Sequence, residues 1–220
     1  MARAGMIVCF AGLAAAPLTP AAAQSLLWTR QAGTPSYDAA SGVAVDGAGD
    51  AYITGKTLGN LAGPSAGASD VILVKYDASG TLLWTRQTGT TSDEIGLAVA
   101  VDGGGNAFIT GWTSGSLGGP NAGGADCFLL KYDASGNPLW SRQIGTPGND
   151  QGIGVAVDGA GHVYITGNTA GSLGGPSAGD LDAFLCKYDA SGNLLWTRQA
   201  GTSAVEESDA VTVDLSLIHI

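Results

Sequence analysis

A tryptophan returns every 56 residues. Trp28, Trp84, Trp140 and Trp196 are evenly spaced, and their surroundings recur at the same offset without slippage. A fixed period of this size marks an array of supersecondary units, because one unit cannot bury its own apolar face and must stack on the next. The copy at Gly145–Ala200 holds four apolar stretches, at Gly154–Asp158, Val163–Thr166, Ala183–Tyr188 and Leu194–Gln199. Each is short, rich in β-branched, aromatic or aliphatic residues, and bounded by Gly, Asp, Asn or Ser, which reads as a strand. No stretch past the N-terminal segment keeps a 3.6-residue apolar period over a helical length.

The connections fix the topology. Asp158–His162 and Asp189–Asn193 each place an Asp at a tight-turn entry and a Gly where positive φ is needed. The third connection, Ala170–Asp182, is long and Gly/Pro-bearing. Four antiparallel strands per repeat are the content of one propeller blade. The expected fold is therefore all-β: an open, truncated β-propeller of about three and a half blades. Its parts are an outer strand at 26–31, blades near 37–87, 93–143 and 149–199, and the start of a further blade at 205–214. The columns Val43/Val99/Val155/Val211 and Val45/Val101/Val157/Val213 suit an innermost strand, where blades converge. The Trp and Arg of the last strand suit the wide outer edge, with the indole filling space between blades.

The motifs Lys187–Gln199 (KYDASGNLLWTRQ), Gly42–Gly55 (GVAVDGAGDAYITG) and Gly171–Gly179 (GSLGGPSAG) resemble those of the bacterial β-propeller repeat proteins called SBBP-repeat proteins. The resemblance covers about residues 26–214. It implies a propeller fold in an exported bacterial protein and carries no uniform enzymatic activity with it. The segment Asp77–Trp84 (DASGTLLW) is also similar to the blade motif of quinoprotein-type propellers. Its Asp-to-Gly spacing is one residue short of that motif, which speaks against a quinone cofactor.

The two ends read differently from the repeats. Arg3, the apolar run Met6–Leu18 and the small residues Ala21–Ala23 form a secretory signal peptide over residues 1–23. The run is too short for a membrane anchor, and Cys9 has no lipobox before it. The mature chain is then expected to be secreted, extracellular or periplasmic. After Asp214 the repeat predicts another Asp-Gly turn, but the chain reads Leu215–Ile220 (LSLIHI). A transposon-end sequencing adapter encodes those six residues in frame, so 215–220 is expected to be non-biological and the gene to continue.

Charge narrows the partners. The net charge is −10, and without Arg3 the chain carries 8 basic against 19 acidic residues. Such a surface repels nucleic-acid phosphates and anionic membranes and accommodates basic ligands. Cys127 and Cys186 sit at strand offsets that differ by three, so they are expected on opposite sheet faces, unlinked, as small buried hydrophobes. With no Cys/His cluster, a zinc site has no support.

Residues repeated in every blade serve the blade, and departures from the repeat are the better functional candidates. The turn aspartates (Asp46, Asp102, Asp158; Asp77, Asp133, Asp189) and the Arg30/Arg86/Arg142/Arg198 column recur faithfully and read as structural. The column Asp38, Glu94, Asp150 and Glu206 falls in the outer-to-inner connection. It is expected either to ring the channel mouth as a cation or basic-ligand site, or to cap neighbouring loop amides. Lys56, Trp112 and Asn168, with Tyr37, Asp93 and Asn149, vary on the same face, and an exposed Trp112 would suit a sugar or peptide. His162 has no nucleophile placed beside it, and no Ser-His-Asp arrangement is nominated. The expected function is a non-enzymatic binding or structural scaffold for a protein, peptide or glycan ligand, with no cofactor required. Its alternatives are a carbohydrate-active lyase or hydrolase with an acidic site at the channel mouth, and an adhesion module stabilised by Ca²⁺.

Overall fold

Twelve strands fall into three antiparallel four-stranded meanders, each one repeat long. The computed structural model describes residues 26–213 and 218–219, so the expected signal peptide lies outside the described residues, as does most of the expected adapter tail. The first blade comprises β1 (Asp38–Val45), β2 (Ala51–Thr57), β3 (Asp70–Tyr76) and β4 (Leu82–Thr88). The second comprises β5 (Glu94–Val101), β6 (Ala107–Thr113), β7 (Asp126–Tyr132) and β8 (Pro138–Ile144). The third comprises β9 (Asp150–Val157), β10 (Val163–Thr169), β11 (Asp182–Tyr188) and β12 (Leu194–Ala200). No helix occurs among the described residues, and so none that could cross a membrane. The architecture is an open arc of three propeller blades.

Alternation along each strand gives every blade two apolar faces. In β7, Phe128, Leu130 and Tyr132 join Tyr52, Val71 and Leu73 of the first blade in one buried cluster. Cys127 and Leu129 of the same strand join Val163, Ile165, Phe184 and Cys186 of the third blade in another. The core is therefore the pair of interfaces between blades. This alters the cysteine reading. Cys127 and Cys186 do point to opposite faces of their own sheets, but they belong to neighbouring blades, so both enter the same interface. They are free thiols. Burial pushes the Cys127 thiol far up and Cys186 up to about 12, which keeps both protonated and inert.

A latch at the outer edge repeats the same logic with polar groups. Arg86 Nε donates to Gly136 O at 2.6 Å and Trp84 Nε1 to Ala134 O at 3.2 Å, each reaching the β-turn of the next blade. Arg142 Nε makes the equivalent bond to Gly192 O at 2.6 Å. The turn glycine has φ of 78° at Gly136 and 77° at Gly192. A Cβ there would also press on the indole of Trp84 or Trp140, so only glycine satisfies both demands.

The ends depart from expectation. Residues 26–31 are not a strand, although Trp28 and Arg30 still latch onto the first blade. Among the described residues no sheet edge pairs with that segment, and side-chain bonds alone do not make a ladder. The further blade is reduced to β13 (Thr212–Val213), which pairs with β14 (Ile218–His219). Val211 is buried against Ala156 and Tyr164, with Val213 packed beside them.

Two stability outcomes test this packing. Phe128→Ala should cost about 3–5 kcal/mol in denaturant unfolding, because it empties a fully enclosed inter-blade position. Leu82→Ala, on the exposed outer edge, should cost under about 0.5 kcal/mol.

Candidate functional site

The inner strands β1, β5 and β9 all carry a bulge at the same repeat position. Pairing skips Ser41 between Ala40 and Gly42, Leu97 between Gly96 and Ala98, and Ile153 between Gly152 and Gly154. The bulge is fixed from the neighbouring strand. Gly55, Gly111 and Gly167 lie under the carbonyls of Ala39, Ile95 and Gln151, where any Cβ would collide with the oxygen. An extra residue in one strand is left unpaired and re-aims its side chain. Ser41, Leu97 and Ile153 thereby line a cleft of about 400 Å³ with Val43, Val99 and Asp209. Asp209 holds the same repeat position as the three bulge residues. The cleft's lining side chains are apolar apart from one hydroxyl and one carboxylate.

The carboxylates of the column are engaged within their own loops. Asp38, Glu94 and Asp150 do not lie in a connection; each is the first residue of its inner strand. Glu94 is fully buried and accepts from Thr90 N at 2.7 Å, Thr90 Oγ1 at 2.6 Å and Thr113 Oγ1 at 2.8 Å. Asp150, equally buried, accepts from Thr146 N and from the hydroxyls of Thr146 and Thr169. Asp38 accepts from Thr34 N and Thr57 Oγ1, and those bonds, the Thr34 amide foremost, hold its carboxyl below the usual range. Glu206 accepts from Thr202 N and Oγ1. Each acid closes its own loop, which is the capping alternative. Among the described residues no group of three or more His, Cys, Asp or Glu could hold a metal ion.

Neither do the variable upper-face residues converge. Asn168 Oδ1 accepts from Ser208 N at 2.8 Å, Asn149 Oδ1 from Ala125 N at 3.0 Å, and Asp93 Oδ1 from Ser69 Oγ at 2.9 Å. All three tie one repeat to the next. Lys56 Nζ lies 5.5 Å from the Tyr37 ring centre. Trp112 is half-buried, not exposed, and sits in register between Ile95 and Cys127. A second acid column escaped the sequence reading. Asp70, Asp126 and Asp182 are fully enclosed at the heads of β3, β7 and β11, each receiving a glutamine amide and a loop N–H on Oδ2. Each Oδ1 has no hydrogen-bond partner and abuts the backbone of Gly89, Gly145 or Gly201.

On the opposite face, His162 Nδ1 and Asp158 Oδ2 are 2.9 Å apart, and Tyr164 Oη donates to the same oxygen at 3.2 Å. The trio completes the turn that Asp158 Oδ1 already caps at Ala160 N and His162 N. Burial raises the Asp158 pKa, but the His162 and Ala160 bonds outweigh it and the net shift is downward.

Sequence reasoning also missed the bulge column. Its signal was present: position 41 of the repeat varies as Ser41, Leu97, Ile153 and Asp209, between neighbours that hardly change.

The β-propeller repeat model known as SBBP matches residues 27–62, 83–119 and 139–175, three times in the 56-residue register of the blades. The chain belongs to this family. It is 31% identical over 166 residues to the regulatory protein FlaEY of Caulobacter vibrioides, covering 68% of this chain and 17% of that protein. It is 25% identical over 169 residues to an uncharacterised WD repeat-containing protein of Acanthamoeba polyphaga mimivirus, covering 62% of this chain and 12% of that one. The chain thus spans less than a fifth of the length of these relatives. A solved protein of unknown function from Bacteroides caccae aligns at 9% identity with a TM-score of 0.28, over 84% of this chain and 75% of its own.

Two outcomes separate the repeat acids from ligand groups. Glu94→Ala should cost roughly 2–4 kcal/mol in chemical denaturation, since it strands three donors in a dry loop. Acid should unfold the blades. Asp38, Asp133, Asp158, Asp182 and Asp189 all have depressed carboxyl pKa values in the fold. Their stabilisation is present above the unfolded value near about 3.9 and is lost as pH falls through the lower folded values. The melting temperature should therefore drop as pH is lowered below about 4, and less steeply in Asp133→Asn.

Proposed function

We propose that this chain is an exported, non-enzymatic β-propeller module that binds a ligand at its inner cleft and otherwise serves as a scaffold. One observation carries the reading: the acids that recur in every repeat are engaged in loop and turn hydrogen bonds, whereas the bulge residues facing the cleft differ from blade to blade. A scaffold keeps its repeated positions and diversifies the surface it presents. Leu97, Ile153, Val43 and Val99 would take an apolar ligand group, and Asp209 a basic or hydroxyl-bearing one. A peptide or a glycan with an apolar face fits that chemistry.

The enzyme alternative has less support. Glycoside hydrolysis typically uses two carboxyl groups flanking the scissile bond, and the cleft lining contributes Asp209 alone. Similarity to a protein named as regulatory agrees with a binding role. Export rests on Arg3, Met6–Leu18 and Ala21–Ala23 in the sequence. The negative net charge supports partners other than nucleic acid.

The test is a glycan and peptide array probed with the purified chain and with Leu97→Asp. Binding that falls at least about tenfold in the variant, with an unchanged circular dichroism spectrum, is the expected outcome; tenfold corresponds to about 1.4 kcal/mol. Equal binding by both proteins removes the cleft from the proposal. Release of new reducing or unsaturated sugar ends from a bound glycan would establish the enzyme reading instead.

A further inference from the structure

The inner cleft holds a carboxylate without a counter-ion. Among the described residues, the ion pairs join Lys75 to Asp46 and Asp50, and His162 to Asp158. Asp209 takes part in none of them, and the cleft lining contains no Lys, Arg or His.

The place of that carboxylate is built. Ser208, the residue before it, is buried; its N–H donates to Asn168 Oδ1 and its hydroxyl to Gly167 O, both at 2.8 Å. Two residues further on, Val211 is buried against Ala156 and Tyr164. Asp209 is thus pinned from both sides while it stays exposed itself. The apolar walls are fixed as well. A Cβ on Gly42 would stand 3.0 Å from Leu97 O and from Ala98 Cα, and one on Gly154 3.0 Å from Val211 N. Neighbouring inner strands meet there backbone to backbone, which leaves the walls little room to shift.

We infer that the occupant of the cleft is a lysine or arginine side chain of a peptide. Its methylenes lie along Leu97, Ile153 and Val99, and its cationic head reaches Asp209. The inference rests on the cleft being the ligand site, and it names what that site takes. A long basic side chain is apolar along its stem and charged only at its tip. The cleft has the same division, with aliphatic walls and one carboxylate.

Other occupants match it less well. A sugar ring carries hydroxyls on most of its carbons, and the walls formed by Val43, Leu97, Val99 and Ile153 would bury them unpaired. An anionic head is repelled by Asp209 and by the net charge of −10, a field that draws cations in. A free alkyl amine has the stem and the head, but the bulges favour a peptide. Ser41, Leu97 and Ile153 are left out of the strand ladder, and a peptide main chain brings donors and acceptors to match their backbone groups.

The test is fluorescence anisotropy of a dansyl-labelled Ala-Leu-Lys-Leu-Ala amide titrated with the full chain. Saturable binding is expected, weakened at least about tenfold by Asp209→Asn. It should also weaken as salt rises from about 0.05 M to about 0.5 M, because the pair is exposed to screening. Asp209 lies on the surface, so the substitution leaves the circular dichroism spectrum and the melting temperature unchanged. Norleucine in place of the peptide's lysine keeps the stem and removes the head; diaminopropionate keeps the head and removes the stem. Each should weaken binding at least about tenfold. Absence of saturable binding, or binding indifferent to Asp209→Asn, overturns the inference. The array ligands separate this failure from that of the cleft itself. A ligand without a cation that binds, and is lost in Leu97→Asp, keeps the cleft and discards the cationic occupant. If no ligand responds to Leu97→Asp, both are discarded.

Discussion

The contact on which everything else depends is the one between consecutive blades. A four-stranded sheet with apolar side chains on both faces cannot remain in water, and here β3, β7 and β11 alternate strictly enough to charge both faces with Val, Leu, Phe, Cys and Tyr. Each face is satisfied only by the next repeat. The Trp–Arg latch then ties each outer strand to the turn of the following blade, through Arg86 to Gly136 O and Arg142 to Gly192 O. Hydrophobic burial supplies the energy, and the charge-assisted bonds at the rim supply the geometry.

The polar content of the repeat serves the same end. Glu94 and Asp150 close the loops that lead into β5 and β9, and the glutamines beside each Trp–Arg pair reach back to Asp70, Asp126 and Asp182. Seen in sequence, such a column of acids invites a metal or a basic ligand. In the folded chain Glu94 and Asp150 accept from the threonines of their own loops, and Asp70, Asp126 and Asp182 from a glutamine amide and a loop N–H. A residue that recurs in each repeat has the same local duty each time, and one blade cannot recruit it for a shared site without undoing its own loop.

Variation is then informative where recurrence is not. Position 41 of the repeat changes from Ser41 to Leu97, Ile153 and Asp209, while the Val-Ala-Val that follows is nearly constant. A bulge allows this freedom, because the unpaired residue contributes to no ladder and its side chain enters the cleft. Trp112 misled for the complementary reason. It varies too, but it sits in a paired strand between two neighbours, where varying one side chain fills space and leaves little exposed surface.

The sequence by itself determined the all-β class, the four strands of each blade, their order and both tight turns, since these follow from a two-residue alternation and from turn chemistry local to a few residues. The family was legible for the same reason. Only the tertiary structure decided that Cys127 and Cys186 share an interface, that residues 26–31 latch without forming a strand, and that Ser41, Leu97 and Ile153 meet in a cleft. Each of those depends on which face of one blade meets which face of the next. That relation joins residues some 50 positions apart, and no local pattern records it.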